Sequence, residues 1–124
     1  MKNAINWFEI PTVDFERAKK FYETIFNYSM MVVVNEPSFK IGMLPGDQGG
    51  VSGAIIWSDA YRPSATEGVL VYLNGNPDLQ EILNRVEPAG GKVLIAKRQI
   101  SPQFGYMATL IDSEGNRIAL HSNS

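Results

Sequence analysis

The sequence contains no cysteine. Disulfides, thiolate zinc sites and thiol nucleophiles are therefore excluded. It has a single histidine, His121, so one imidazole at most can serve any site. Neither charge sign forms a run. The 11 basic and 13 acidic residues sum to a formal charge of −2. A nucleic-acid groove or a polybasic membrane patch is not expected from that balance. No apolar stretch is long enough to span a bilayer. The opening residues Met1 to Asn6 run straight into strand pattern, with no secretory signal. A soluble, cytoplasmic protein is the expectation. There is no Gly-x-Ser-x-Gly nucleophile elbow, and Gly49-Gly50 opens no helix and so makes no phosphate loop.

What is present is one domain's worth of chain, 124 residues. A chain of this size buries roughly two-thirds of the surface it exposes when unfolded, enough to stand without staples. Ala4 to Ile10 alternates as a strand, with Ile5, Trp7 and Glu9 on one face. Pro11 closes that strand and Asp14 reads as a helix cap. Ala18, Phe21, Tyr22 and Ile25 recur at helical spacing, predicting an amphipathic helix over 15–26 with Asn27 as its stop. Strands are expected over 29–34, 39–44 and 51–57, separated by a Pro37 turn and a glycine-rich loop.

After Arg62-Pro63-Ser64 the series begins again. A strand over 68–73 is followed by a helix starting at Pro77-Asp78, with Leu79, Ile82, Leu83 and Val86 as its apolar stripe. Ala89-Gly90-Gly91 stops it, and strands over 92–100, 105–112 and 117–121 complete the set. The expected fold is α+β: two β-α-β-β-β modules in tandem, about 1–58 and 67–124, with a linker at about 59–66. Each module has a sheet with one face on its helix and one face open. Paired side by side, the modules are expected to form a partly closed eight-stranded sheet around a ligand cavity.

The residues Ile5 to Pro11, Asp14, Arg17-Ala18, Phe21-Tyr22 and Ile25 to Tyr28 resemble the opening of the vicinal oxygen chelate superfamily. Gly105 to Ala108 and Asp112 to Ser122 resemble that family's closing Asp-x-x-Gly-Asn turn and final strand. Gly53-Ala54, Tyr61, Pro63-Ser64, Gly68, Val71 to Leu73, Lys97 and Ile100 are similar to a glyoxalase-like subgroup of small single-domain members. The family includes glyoxalase I, extradiol dioxygenases, fosfomycin-modifying transferases and bleomycin-binding resistance proteins. Its members share a fold and differ in chemistry, so the resemblance implies a cavity rather than a reaction.

Catalytic members of that family carry four metal ligands, His, Gln or Glu, on the first and fourth strands of each module. Here the corresponding positions hold Trp7, seven residues before Asp14; a residue within Gly53 to Trp57; Val71; and Ala119, seven beyond Asp112. None of these side chains suits a divalent cation. Glu9 shares the face of Trp7, and His121 that of Ala119. A register shift of two would supply only those two ligands, too few for an ordinary catalytic site. No metal and no cofactor are therefore expected.

The expected ligand-binding residues are Trp7, Glu9, Trp57, Val71, Ala119 and His121. Trp7 offers a flat wall for a planar guest, with Trp57 and Tyr72 beside it. Glu9 is the candidate catalytic residue, as a general acid or base or as an anchor. Arg117 has the parity of His121 and reads as a surface arginine. Three functions follow from these residues. The first is metal-free binding of a small, possibly aromatic molecule. The second is a glyoxalase-type lyase or isomerase, or a metal-free variant using Glu9. The third is a subunit whose main surface is a homodimer interface.

Overall fold

The computed structural model describes residues 2–124. Met1, with which the opening segment begins, lies outside the described residues. The first module comprises β1 (Trp7–Pro11), α1 (Phe15–Phe26), β2 (Val32–Glu36), β3 (Phe39–Met43) and β4 (Ser52–Trp57). The second comprises β5 (Tyr72–Asn74), α2 (Leu79–Val86), β6 (Lys92–Ser101), β7 (Gly105–Ile111) and β8 (Arg117–Ser122). The repeated order is the one the sequence predicts.

Each module makes its own four-stranded sheet, ordered β1-β4-β3-β2 and β5-β8-β7-β6. In each, the first strand pairs in parallel with the last and the other pairings are antiparallel. β1 and β5 are thus edge strands, and no ladder joins them. The eight strands form two sheets, and the barrel is not closed.

The helices follow from their local sequence. The Asp14 side chain accepts the Arg17 N–H, and Asn27 ends α1 in the left-handed region at φ 52°. Ala18, Phe21, Tyr22 and Ile25 are all buried on its inner face. In α2, Asp78 accepts the Gln80 N–H, and Leu79, Ile82, Leu83 and Val86 are buried. The two helices pack against each other. Their apolar stripes meet Ile10, Ile55, Leu73, Ala108, Leu110 and Leu120 in one continuous core shared by both modules. At about 1.5–3 kcal/mol for each fully buried large side chain, this core dominates the favourable side of folding.

Three strands start three or more residues later than the sequence pattern suggests. β1 starts at Trp7 because its partner β4 starts at Ser52, opposite it. β2 starts at Val32, opposite Gly42. Just before it the Met31 carbonyl still accepts the Met43 N–H of β3, but the Met30 N–H turns away to the Glu23 carboxylate at 2.8 Å. Residues 68–71, apolar and strand-like in sequence, run between the modules before β5 begins at Tyr72.

Candidate functional site

The turn after β7 fixes how the modules meet. Asp112, Glu114 and Asn116 are all buried. Glu114 Oε1 accepts the backbone N–H groups of Val13 and Asp14, at 2.8 and 2.6 Å. Arg17 Nε donates to Glu114 Oε2 at 2.8 Å. The Asn116 amide donates to the Pro11 carbonyl at 2.8 Å and accepts the Ser64 N–H. The Arg117 N–H then donates to the Ser64 carbonyl. The end of β1, the connecting segment and the start of β8 are thereby tied together.

Burial works against ionisation of Glu114. The Arg17 hydrogen bond, the Asp14 N–H, the Ser113 hydroxyl and the Val13 N–H outweigh it and hold the carboxyl below its ordinary range. This anion therefore serves as a fixed clamp between modules.

Two cavities open along the seam beside edge strands β1 and β5. The first, of about 340 Å³, is mainly apolar, lined by Ile5, Phe8, Val51, Val71, Tyr72 and Leu73 among others. The second, of about 240 Å³, brings together Glu9, Arg62, Ser64, Glu67, Asn116 and Arg117. Val69 and Val71 line both, so the cavities adjoin. Gly53 matters here: a Cβ at that position would run into the Phe8 ring, so the close approach of β4 to Phe8 requires glycine.

The expected site residues divide. Glu9 lines the polar cavity, and Val71 lines both. Trp7 is exposed and donates its indole N–H to Glu9 Oε2 at 3.2 Å. Its neighbours on the same face, Ile5 and Glu9, line the apolar and the polar cavity respectively. Ala119 is fully buried, paired with Tyr72 on one side and Thr109 on the other. His121 Nε2 lies 2.6 Å from the Phe104 carbonyl, and its residue pairs with Asn74 and Met107. Neither Ala119 nor His121 lines the two cavities.

Trp57 stands on the opposite face of its sheet from Trp7. It packs against the core, with Lys40 Nζ 5.9 Å from its ring centroid. Strand parity accounts for this, since Trp57 shares the side of Ile55, which meets α1. Val71 precedes β5 and has the parity of core-facing Leu73. The open-face residue paired with Ala119 is Tyr72.

Arg62, in the connecting segment, and Arg117, which the sequence pattern reads as a surface arginine, join Glu9 at the polar cavity although neither is among the expected site residues. Arg117 is not a plain surface residue: its Nε is buried. The alternation of Arg117, Ala119 and His121 along β8 was the available signal. Among the described residues, no three His, Cys, Asp or Glu side chains converge as a metal cluster.

The family model described as Glyoxalase/Bleomycin resistance protein/Dioxygenase superfamily matches residues 4–120. No protein with a curated description matches the chain. Solved structures with the same fold include a glyoxalase/bleomycin resistance protein/dioxygenase family enzyme from Burkholderia phytofirmans PsJN. It is 17% identical, with 96% of this chain and 98% of that chain covered and a TM-score of 0.71. A hypothetical protein from S. aureus is 20% identical, covering 98% and 95%, with a TM-score of 0.65. A mutant of the fosfomycin resistance protein FosX from Listeria monocytogenes, complexed with Mn(II) and 1S,2S-dihydroxypropylphosphonic acid, is 15% identical. There 100% and 93% are covered, with a TM-score of 0.65. At these identities the likeness is one of fold.

Proposed function

The chain belongs to the Glyoxalase/Bleomycin resistance protein/Dioxygenase superfamily, and from that footing we propose that it binds a small, flat, largely apolar molecule at its intermodule seam without a metal ion. The observation that carries this reading is the apolar cavity of about 340 Å³ lined by both modules and adjoining a polar one. Its size suits a small organic guest.

The side chains at the family's ligand positions do not fit a divalent cation. The Trp7 indole only donates, and it already donates to Glu9. Val71 and Ala119 carry no donor atom, and Tyr72, the open-face residue paired with Ala119, offers a neutral phenol in place of His, Gln or Glu. The open-face residues of β4 opposite Glu9 and Pro11 are Ala54 and Ile56.

Two further parts of the reading concern assembly and place. Met31, Val33, Leu94, Ile95 and Ile100 leave apolar surface exposed on the outer strands and beside them. A second copy of the chain would cover such surface, giving a homodimer. Among the described residues no helix is long and apolar enough to cross a membrane. We propose a cytoplasmic location from composition, which has no run of either charge.

The test is metal analysis of protein purified without chelators, joined to a crystal structure of that material. Substoichiometric metal and a guest at the seam are expected. Stoichiometric divalent metal with metal-dependent turnover would overturn the reading. A second reading, a lyase or isomerase using Glu9 as acid or base, draws support from Glu9 lining the polar cavity beside two arginines. Unchanged turnover after Glu9→Gln would dispose of it.

A further inference from the structure

Among the described residues, Arg117 Nε is the one buried side-chain nitrogen or oxygen with no hydrogen-bond partner. A guanidinium stays charged at any ordinary pH, and its N–H groups can only donate. Leaving such a donor buried without an acceptor is costly, so an orphan of this kind calls for an explanation.

Two other arginines at the module boundary are satisfied. Arg17 is paired with Glu114, and Arg85 donates to the Ile25 carbonyl. The three ion pairs among the described residues, Arg17–Glu114, Lys19–Glu23 and Lys97–Asp78, include neither Arg117 nor Arg62. Yet both arginines line the same cavity. They are brought together by backbone pairing, because the Arg117 N–H donates to the carbonyl of Ser64, two residues after Arg62. Glu9 and Glu67 line that cavity too. Neither pairs with an arginine, and Glu9 accepts the Trp7 indole N–H instead.

From this geometry we infer that the polar cavity is a carboxylate subsite. Arg117 and Arg62 hold the acid group of a ligand whose apolar body lies in the adjoining cavity. The inference rests on the seam being a small-molecule site and adds the chemical class of its guest, an aromatic or similarly flat monocarboxylic acid. A planar guanidinium matches a carboxylate in geometry and charge. Glu9 and Glu67 set the limit on charge, since two lining carboxylates repel a dianion more than a monoanion. Val69 and Val71, common to both cavities, mark where the acid group would join the apolar body.

A matched pair of probes tests the inference: 2-naphthoate and its neutral isostere 2-naphthamide, titrated calorimetrically into the full chain. The acid is expected to bind at least about tenfold tighter than the amide, the difference that one charge-assisted hydrogen bond supplies. That preference should disappear in Arg117→Gln and shrink in Arg62→Gln. Arg117→Lys, which keeps the charge but removes the Nε donor, should restore part of it. Arg62 is exposed, so its variant keeps the test open if Arg117→Gln fails to fold. Added salt should weaken the acid and spare the amide. Equal binding of acid and amide, unaltered by either substitution, overturns the carboxylate subsite while leaving a small-molecule seam intact. Binding of neither probe at millimolar concentration overturns both.

Discussion

Tyr22 Oη donates to Asp112 Oδ2 at 2.6 Å, with both residues buried, and so joins α1 of the first module to the β7–β8 turn of the second. Burial pushes the phenol well above its usual range, and the charge of Asp112 pushes it further the same way. The same carboxylate accepts the N–H groups of Glu114 and Asn116 and the Asn116 amide. Tyr22→Phe should therefore cost about 1–2 kcal/mol and loosen the turn that sets the seam. Urea denaturation checks this, and an unchanged midpoint would speak against the link.

Acid sensitivity should centre on Glu114. Its folded carboxyl is held below the ordinary range, so the unfolded chain takes up a proton first as pH falls. The stabilisation is complete above the unfolded value of about 4.3 and is lost as pH drops through the folded one. Thermal melting should be flat between about pH 6 and 5 and fall from about pH 4 downward. Glu114→Gln should lower stability near neutrality by about 1–3 kcal/mol and flatten that fall. Glu23 and Asp78 are also held low, by the Met30 N–H first and by Lys97 first, respectively. They would keep a residual slope. An acid profile identical in the Glu114 variant and the parent would refute the assignment.

The two tryptophans should behave oppositely. Trp7 is 43% exposed, so Trp7→Ala should shift stability by no more than about 0.5 kcal/mol. Trp57 packs against the core, so Trp57→Ala should cost about 1–3 kcal/mol. Chemical denaturation of the pair decides it. Equal costs would mean that the two share an environment.

Gly53 should be intolerant of a methyl group. Its Cβ would collide with the Phe8 ring, and Phe8 lines the apolar cavity. Gly53→Ala should cost about 1–3 kcal/mol by overpacking, and should weaken naphthoate binding as the ring is displaced. Calorimetric titration alongside a melting curve reads both effects. Wild-type affinity in a fully folded variant would detach Phe8 from the site.

Much of the architecture is legible before any coordinates, for a physical reason. Helix α1 carries its own boundaries in Asp14 and Asn27 and its inner face in Ala18, Phe21, Tyr22 and Ile25. Strand parity likewise puts Trp7 beside Glu9, which the indole hydrogen bond bears out. The candidate site is less legible, because it depends on how two edge strands meet. Residues 68–71 have strand composition but lie where β8 has no free ladder to offer until Ala119. Trp57 reads as a second wall until the pairing of β4 shows which face meets the helix. Arg117 reads as surface because the connecting segment that lies along its backbone, through the Ser64 carbonyl, is far away in sequence.

The most direct test of a metal-independent small-molecule site at the seam is a calorimetric titration of the chelator-dialysed chain with 2-naphthoate. It should be run with and without added manganese or zinc. The account predicts saturable binding to one site per chain, with the same affinity in both conditions. No binding until metal is supplied, or none in either condition, would contradict it.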